Sequence, residues 1–452
     1  MKYDVLIIGA GPGGIYSAYE LMKLRPDLKV GIFEKGPDLE KRINGNYSIM
    51  NGFGGAGAFS DGKFNITNEF GGTLYEHIGK DKAIELMEYV DQINCENGGE
   101  NAKMFSNIDS HLKTICLKND LYLLSAKVRH LGTDINQIVL KNLYAFLQHK
   151  VDFYFEKAIV DVEYKKDGSF NLINEDDEVF SGLKCIISTG RSGSKWMEEI
   201  SKKLAIQTKS NRVDIGVRVE LPYEIFKHLT DILYESKLVH QTKTYNDWVR
   251  TFCMNPRGFV VQEDTNGLLT ANGHSYEGED MLSNNTNFAL LVSQEFTEPF
   301  KNSNEYGESI ARLGNMLGGG VIVQRFGDLI NGRRSTQSRI DKSFLTPTLK
   351  ATAGDLSLVL PKRLLDDIVD MIFALDKIAP GTANDDTLLY GVEVKFYNME
   401  VDVNNHLETS LPGLFSIGDA SGVTHSLSHA SASGVYVARH LADQLPLRKK
   451  II

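Results

Sequence analysis

The sequence predicts an α/β chain built in two parts. One is a Rossmann-like, parallel-sheet domain; the other is a mostly antiparallel β-sheet domain inserted into it. Three observations predict this. Tyr3 to Ile8 (Y-D-V-L-I-I) is an apolar, β-branched run of strand length that enters Gly9-Ala10-Gly11-Pro12-Gly13-Gly14. From about Ser210 to about Pro380 the pattern changes to short strands separated by Asn/Gly-rich turns. Beyond 380 the strand–glycine–helix pattern returns, so the expected division is 1–209, an insertion at 210–379, and 380–452.

The glycine turn is followed by a helical pattern, Ile15, Ala18, Tyr19 and Met22. A second strand, Lys29 to Phe33, ends on Glu34, twenty residues after Gly14. Strand, glycine turn, helix, strand and acid together spell a dinucleotide site. Gly9 permits the tight turn, Gly11 lets a pyrophosphate approach the backbone, and Gly13 belongs to the same cofactor-binding turn. Gly14 allows close packing of helix on strand. The helix N-terminus offers unpaired N–H groups and a positive dipole end. Glu34, followed by Lys35, is expected to accept hydrogen bonds from the adenosine ribose. An acid there disfavours a 2′-phosphate, which points to FAD or NAD rather than NADP.

Composition narrows the class. The 452 residues are 42% hydrophobic and 24% charged, as in an ordinary globular chain. A net charge of −10 with no basic block excludes a nucleic-acid protein, and Arg448, Lys449 and Lys450 read as a solvated tail. Cys95, Cys116, Cys185 and Cys253 lie far apart, without CxxC or metal spacing, and read as free thiols of a reducing compartment. The chain starts on its first core strand, and no run reaches the roughly eighteen apolar residues of a membrane span. A soluble, cytoplasmic protein without a signal peptide is expected.

The loop Asn51 to Asn65 carries five glycines with Phe53, Phe59 and Phe64. Glycine disfavours regular structure here, and three phenylalanines are costly to expose together. The loop is therefore expected to cover a ligand seated on the first motif. Helices are predicted at 79–98 and 134–149, one long strand at Val151 to Tyr164, and a hairpin at Lys165 to Gly168 leading into Phe170 to Asn174. Leu183 to Ser188 is a buried strand ending in Thr189-Gly190-Arg191-Ser192-Gly193. Pro361 to Ile378 is a packing helix with one apolar side and acids opposite. Leu414 to Ile417 is a strand entering Gly418-Asp419-Ala420-Ser421-Gly422, before a helix at 431–445.

An N-terminal GxGxxG, an inserted sheet domain and a terminal G-L-F-S-I-G-D-A resemble the glutathione-reductase-like class of FAD proteins. The resemblance implies that Gly418-Asp419 meets the ribityl and pyrophosphate part of FAD. It also implies that backbone near Ile159 and Val160, in E-K-A-I-V-D-V-E, meets the adenine, and that I-S-T-G, with Thr189 and Gly190, is the second turn. The segments G-G-A-G-A-F-S-D-G-K (54–63), R-H-L-G-T-D (129–134) and T-G-R-S-G-S-K-W (189–196) are similar to a family known only as uncharacterised FAD-dependent dehydrogenases. So are T-F-C-M-N-P (251–256), A-N-G-H-S-Y (271–276) and L-Y-G-V-E (389–393). That family often shows C-M-C-P where this chain has Cys253-Met254-Asn255-Pro256, which argues against paired-cysteine chemistry.

The resemblance implies FAD as cofactor and hydride transfer between flavin and an organic substrate, with the protein supplying orientation and electrostatics. The loop holding Gly55, Ala56, Ser60, Asp61 and Lys63 resembles the segment that approaches the flavin ring; Lys63 is the candidate to stabilise reduced flavin, against a solvated loop lysine. His425 and His429 are spaced to share a helix face if that stretch is helical, and either is a candidate proton donor. A metal pair lacks a third ligand nearby. The arginines of the insertion, above all G-R-R-S-T at 332–336, suggest a carboxylate or phosphate on the substrate. A flavin monooxygenase of the hydroxylase type, a reductase of prenyl double bonds and a flavin-bearing non-catalytic partner stay open as alternatives. Expected partners are a small-molecule substrate and an electron donor, NAD(P)H or another, with no nucleic acid and no membrane span. No second GxGxxG with its own acid is present, so a separate nicotinamide domain is not expected.

Overall fold

The computed structural model describes residues 2–45, 51–60, 62–108, 111–232, 236–265, 267–275 and 282–447. The chain divides into two compact units: Met1–Ser106, Ala126–Lys209 and Asn398–Ile452 form the first, Asn107–Ser125 and Ser210–Tyr397 the second.

The first unit is built on a seven-stranded sheet. Its order is Asp152–Tyr154, Val30–Phe33, Lys2–Ile8, Val179–Ile187, Phe170–Asn174 and Ile159–Tyr164; Leu414–Ser416 pairs with the last residues of Val179–Ile187. Five of these strands run parallel, and Phe170–Asn174 and Ile159–Tyr164 form an antiparallel extension. Lys2–Ile8 lies at the centre because it is apolar on both faces: Val5 and Ile7 enter one core, Leu6 and Ile8 the other. The helix Pro12–Leu24 packs along Leu427–Gln444 so closely that a Cβ on Gly434 would sit 2.2 Å from the Gly13 carbonyl oxygen. A small antiparallel sheet, Lys63–Ile66, Lys127–His130 and Lys103–Ser106, completes the unit.

In the second unit an eight-stranded sheet runs Thr352–Ala353, Ile322–Arg325, Leu388–Lys395, Val213–Pro222, Asn285–Gln294, Trp248–Asn255, Leu238–Gln241 and Leu121–Leu123. Every neighbouring pair is antiparallel except the first. The helix Lys362–Asp376 buries Leu364, Ile368, Met371, Ile372 and Leu375 in its core. The hairpin Phe259–Thr265 and Leu268–His274 forms a separate two-stranded sheet.

Four expectations need correction. Val151 to Tyr164 is two strands on opposite edges of the sheet, because the chain leaves the ladder at Phe155–Ala158, where Glu156 takes a φ of +54°. The insertion ends at Tyr397 rather than 379, since Leu388–Lys395 is an inner strand of the second sheet. That sheet also recruits Asn107–Ser125 from what was read as first-domain sequence, because Leu121–Leu123 pairs with Leu238–Gln241. The acids of the helix Lys362–Asp376 are not all on its outer side: Asp367 is buried.

Candidate functional site

The glycine turn joins Lys2–Ile8 to the helix Pro12–Leu24. Gly9 adopts a φ of +100°, and a Cβ there would lie 2.5 Å from the Ser188 carbonyl oxygen. Gly14 faces the Gly9 carbonyl oxygen, which its Cβ would meet at 2.1 Å. Gly13 would meet the Ser188 hydroxyl at 2.5 Å and the Ala430 carbonyl oxygen at 3.3 Å. Gly13 is therefore closely packed between helix, strand end and last helix. Gly11 is different: a Cβ on it meets nothing within 4 Å. It stands as N-cap of the helix, with no side chain capping the turn and no acid in it. The first helical hydrogen bond comes from the Ile15 amide, so the amides of Gly13 and Gly14 precede the intrahelical ladder.

Glu34 is 7% exposed and anchors the turn. Its Oε2 accepts from the Ala10 amide, and its Oε1 from the amides of Gly36 and Gly52, each at 2.9 Å. A carboxylate has about four acceptor positions; three are used, and one is left for a ribose hydroxyl. Lys35 is exposed. The backbone beside Glu34 is not at Ile159 and Val160. The Glu34 amide donates to the Tyr154 carbonyl, the Lys157 amide to that of Glu34, and the Glu156 amide to that of Gly36. Ile159 is buried on the far edge strand, and Val160 is half exposed at a break in register.

The glycine-rich loop seats directly on this turn. The Gly54 amide donates to the Ala10 carbonyl, and Gly55, at a φ of +56°, brings its Cβ position within 3.2 Å of Gly11 Cα. Phe53 is fully buried against Tyr144, Phe153 and Phe155, and Phe64 is buried too. This is why the loop is not a loose surface segment. Ala56 is exposed. The Ser60 hydroxyl donates to the Gly57 carbonyl and accepts from the Gly62 amide, so it serves the turn. Asp61 lies outside the described residues, as do Arg448, Lys449 and Lys450. Lys63 opens a strand opposite His130, which stands opposite Lys103.

The second and third turns flank the first. Val179–Ile187 leads into Ser188, Thr189 and Gly190. A Cβ on Gly190 meets nothing within 4 Å, and the Thr189 hydroxyl is buried without a hydrogen-bond partner. Gly418, at a φ of +65°, opens the 3-10 turn Gly418–Ser421, and Asp419 pairs with Arg191 at 3.4 Å. Two open glycines, a helix N-terminus, an acceptor carboxylate and an orphan hydroxyl in one unit fit the phosphate-and-ribose half of a dinucleotide.

The histidine pair does not form as expected. The last helix begins at Leu427 with Ser426 as N-cap, so His425 precedes the helix and the two residues do not share its face. His429 is fully buried and Nε2 meets the Thr67 carbonyl at 2.9 Å; burial lowers its pKa and keeps the ring neutral. It ties Thr67 to the last helix. Of the G-R-R-S-T arginines, Arg333 stays exposed while pairing with buried Asp328, and Arg334 is exposed; outside the run, Arg339 also pairs with Asp328 and Arg325 with Asp386. The Gly318–Gly320 run is a helix C-cap, with Gly319 left-handed.

Three residues escaped the sequence reading. Ser188 lies between Gly13 and Gly418, Arg191 holds Asp419, and Arg42 is buried at 2% exposure, donating to the carbonyls of Phe53 and Gly55. Burial lowers the Arg42 pKa and Glu34 opposes it. The available signal was the helical spacing of Arg42 in Leu39–Asn44 with Asp38 as its N-cap.

Residues 213–396 match the family model "FAD-dependent protein, C-terminal domain-like", a span that coincides with the main segment of the second unit. The cofactor of that family is FAD. A protein of Clostridium beijerinckii, named only "Uncharacterized protein", is 26% identical over 481 residues, covering 99% of this chain and 82% of that protein. Among solved structures, glycine oxidase from Geobacillus kaustophilus aligns with a TM-score of 0.41 at 11% identity, covering 100% of this chain and 97% of that one. A salicylate hydroxylase substrate complex aligns with a TM-score of 0.46 at 12% identity, covering 98% and 79%. Among the described residues no helix is long and apolar enough to cross a membrane, and no group of three or more His, Cys, Asp or Glu is arranged to hold a metal.

Proposed function

We propose that this chain is an FAD-dependent oxidoreductase acting by hydride transfer between bound flavin and a small organic substrate, as a dehydrogenase or reductase. One observation carries the reading: open backbone at Gly11, at a helix N-terminus without a side-chain cap, beside a buried carboxylate that keeps one acceptor position. The amides of Gly13 and Gly14 and the helix dipole would meet the pyrophosphate, and Glu34 the ribose. Gly190 and Asp419 would meet the ribityl side, with Arg191 exchanging its pairing with Asp419. Bound FAD supplies the hydride chemistry; the chain's residues bind, orient and exclude water around it. Lys63, on the row with His130 and Lys103, is the cation proposed to favour reduced flavin. The match of residues 213–396 to an FAD-dependent family supports the cofactor.

The experiment is direct. The purified chain should carry flavin absorbance, and the released cofactor should chromatograph as FAD rather than FMN, because the Glu34 site reads the adenosine half. Colourless protein that takes up no FAD refutes the proposal. Oxygen consumption coupled to substrate hydroxylation would replace the dehydrogenase reading with the monooxygenase one.

A further inference from the structure

Three sequence strings play no part in the dinucleotide site: 251–256, 271–276 and 389–393. In the second unit their described residues meet around one side chain. Arg218 is fully buried. Its Nε donates to Asn287 Oδ1 at 2.9 Å, its Nη1 reaches both Glu393 oxygens at 3.1 and 3.3 Å, and its Nη2 donates to the Cys253 carbonyl at 2.6 Å. Asn255 Nδ2 donates to the same Asn287 oxygen at 3.3 Å, and Ser275 donates to Asn255 Oδ1 at 3.1 Å. Gly273 lies so close that a Cβ would sit 1.8 Å from Arg218 Nη2, so a side chain there would displace the guanidinium.

The cluster is not explained by stability. A buried ion pair seldom stabilises a fold more than apolar residues of the same volume would. The strand under it breaks register between Phe252 and Asn255, and Cys253 takes a φ of +44°. Bulges and left-handed non-glycine residues cost free energy and gather at functional sites. The Asn287 Nδ2 group is buried with no hydrogen-bond partner, although Asn287 is 0% exposed. Asn287 Nδ2 is thus the unmatched donor of an otherwise connected network, and a ligand acceptor would satisfy it.

We propose that this cluster binds the carboxylate of a small molecule, with Arg218, the Asn287 amide and the protonated carboxyl of Glu393 all donating to it. Burial pushes Glu393 up to about 7; Arg218 offsets part of that rise, Glu263 adds to it and Lys395 opposes it. Near neutrality the side chain therefore exists in both forms. Protonated, it joins Arg218 and Asn287 as a third donor facing a ligand that only accepts. Ionised, it claims the charge of Arg218 and repels a second carboxylate. Above the Glu393 midpoint binding takes up one proton onto a Glu393 oxygen, and below it none; no electrons move and no covalent bond forms to the ligand. The cluster reaches the surface at exposed Ser275 and, slightly, at the Glu393 side chain, 9% exposed. The hairpin carrying Gly273 makes its ladder bonds, among the described residues, only with itself, and bonds of Val260 to Thr348, Leu269 with Asn315 and Val321 to Gln262 seat it in the second unit. The site lies wholly in the second unit and does not depend on the flavin.

The test is calorimetric titration of the full chain with acetate as probe across pH 6 to about 9. Affinity should be flat on the acid side and fall about tenfold per pH unit above the Glu393 midpoint, with one proton taken up. Glu393→Gln should hold the acid-side affinity at every pH, and a retained slope in that variant overturns the proposal. Should Glu393→Gln not fold, Asn287→Ser should bind acetate at least tenfold more weakly at pH 6 while keeping the slope; unchanged affinity overturns it. Folded wild-type protein without saturable acetate binding at any pH overturns it as well.

Discussion

Gly11→Ala separates cofactor binding from folding. Gly11 has a φ of −79° and a ψ of −176°, a conformation alanine adopts freely. The new methyl group would meet no atom within 4 Å. Alanine is a poorer N-cap than glycine, at about 0.5 kcal/mol, but it restricts the unfolded chain by a similar amount. The apoprotein should therefore melt within about 0.5 kcal/mol of wild type. The methyl group fills the space over the helix N-terminus and would hold a pyrophosphate away from the Gly13 and Gly14 amides. Charge-assisted hydrogen bonds contribute roughly 1.5–3 kcal/mol each, so losing one or two weakens FAD by about tenfold or more. Gly14→Ala is the opposite case. Its methyl carbon would lie 2.1 Å from the Gly9 carbonyl oxygen and 3.2 Å from Ile7 Cγ2. Backbone must move, at a cost on the order of 3 kcal/mol. The assay is FAD titration of apoprotein by flavin fluorescence, beside thermal melts of both variants without FAD. Gly11→Ala that binds FAD as wild type does, or that melts like Gly14→Ala, refutes the assignment.

Other outcomes follow from the same geometry. Burial moves Asp367 up to about 6, with Thr242 opposing and Asp247 adding. Its folded pKa lies above the unfolded value, so the stability it contributes is whole below about pH 4 and lost as pH rises through 6. Asp367→Asn should therefore stabilise at pH 8 and not at pH 4. The full linkage is roughly 3 kcal/mol, reduced by screening to on the order of 1–2 kcal/mol; denaturant melts at the two pH values check it. Cys253→Ser should leave flavin reduction intact, because Asn255 replaces a second thiol and Cys253 meets Arg218 through its carbonyl; lost turnover with FAD still bound shows otherwise. NADH or NADPH alone should reduce the flavin slowly, since the other glycine run is a helix C-cap. Anaerobic stopped-flow mixing with fast, saturable reduction would reveal a nicotinamide site.

What the sequence made legible depended on how local the cause was. The first turn could be read because glycine at a fixed position has a backbone reason: Gly9 needs its positive φ, and Gly14 its contact with the Gly9 carbonyl. The packing around Gly13 could not be read, because its neighbours, Ser188 and Ala430, come from 175 and more residues away in the chain. The break at Phe155–Ala158 was hidden for a related reason. The residues flanking it, Tyr154 and Ile159, are both good strand formers, but they belong to opposite edges of one sheet. His425 and His429 had the right spacing, yet Ser426 caps the helix between them, and capping by a serine hydroxyl outranks periodicity at a helix start.

The second unit shows the same limit in a sharper form. Its arginines looked equivalent as letters, and a run such as G-R-R-S-T drew attention because its members are adjacent. Adjacency did not decide their use: Asp328, itself 0% exposed, takes Arg333 from the run and Arg339 from beyond it, while Arg334 stays exposed. Arg218 stands in V-R-V-E on a buried strand that also carries Asp214 and Glu220, and nothing local distinguishes it. What distinguishes it is cross-strand register. Asn287 comes from the strand paired on one side, Glu393 from the strand paired on the other, and both point to the face that Arg218 occupies. A side chain that needs three strands to define its surroundings becomes visible only once the sheet order is known. That is why its chemistry had to be read from the structure.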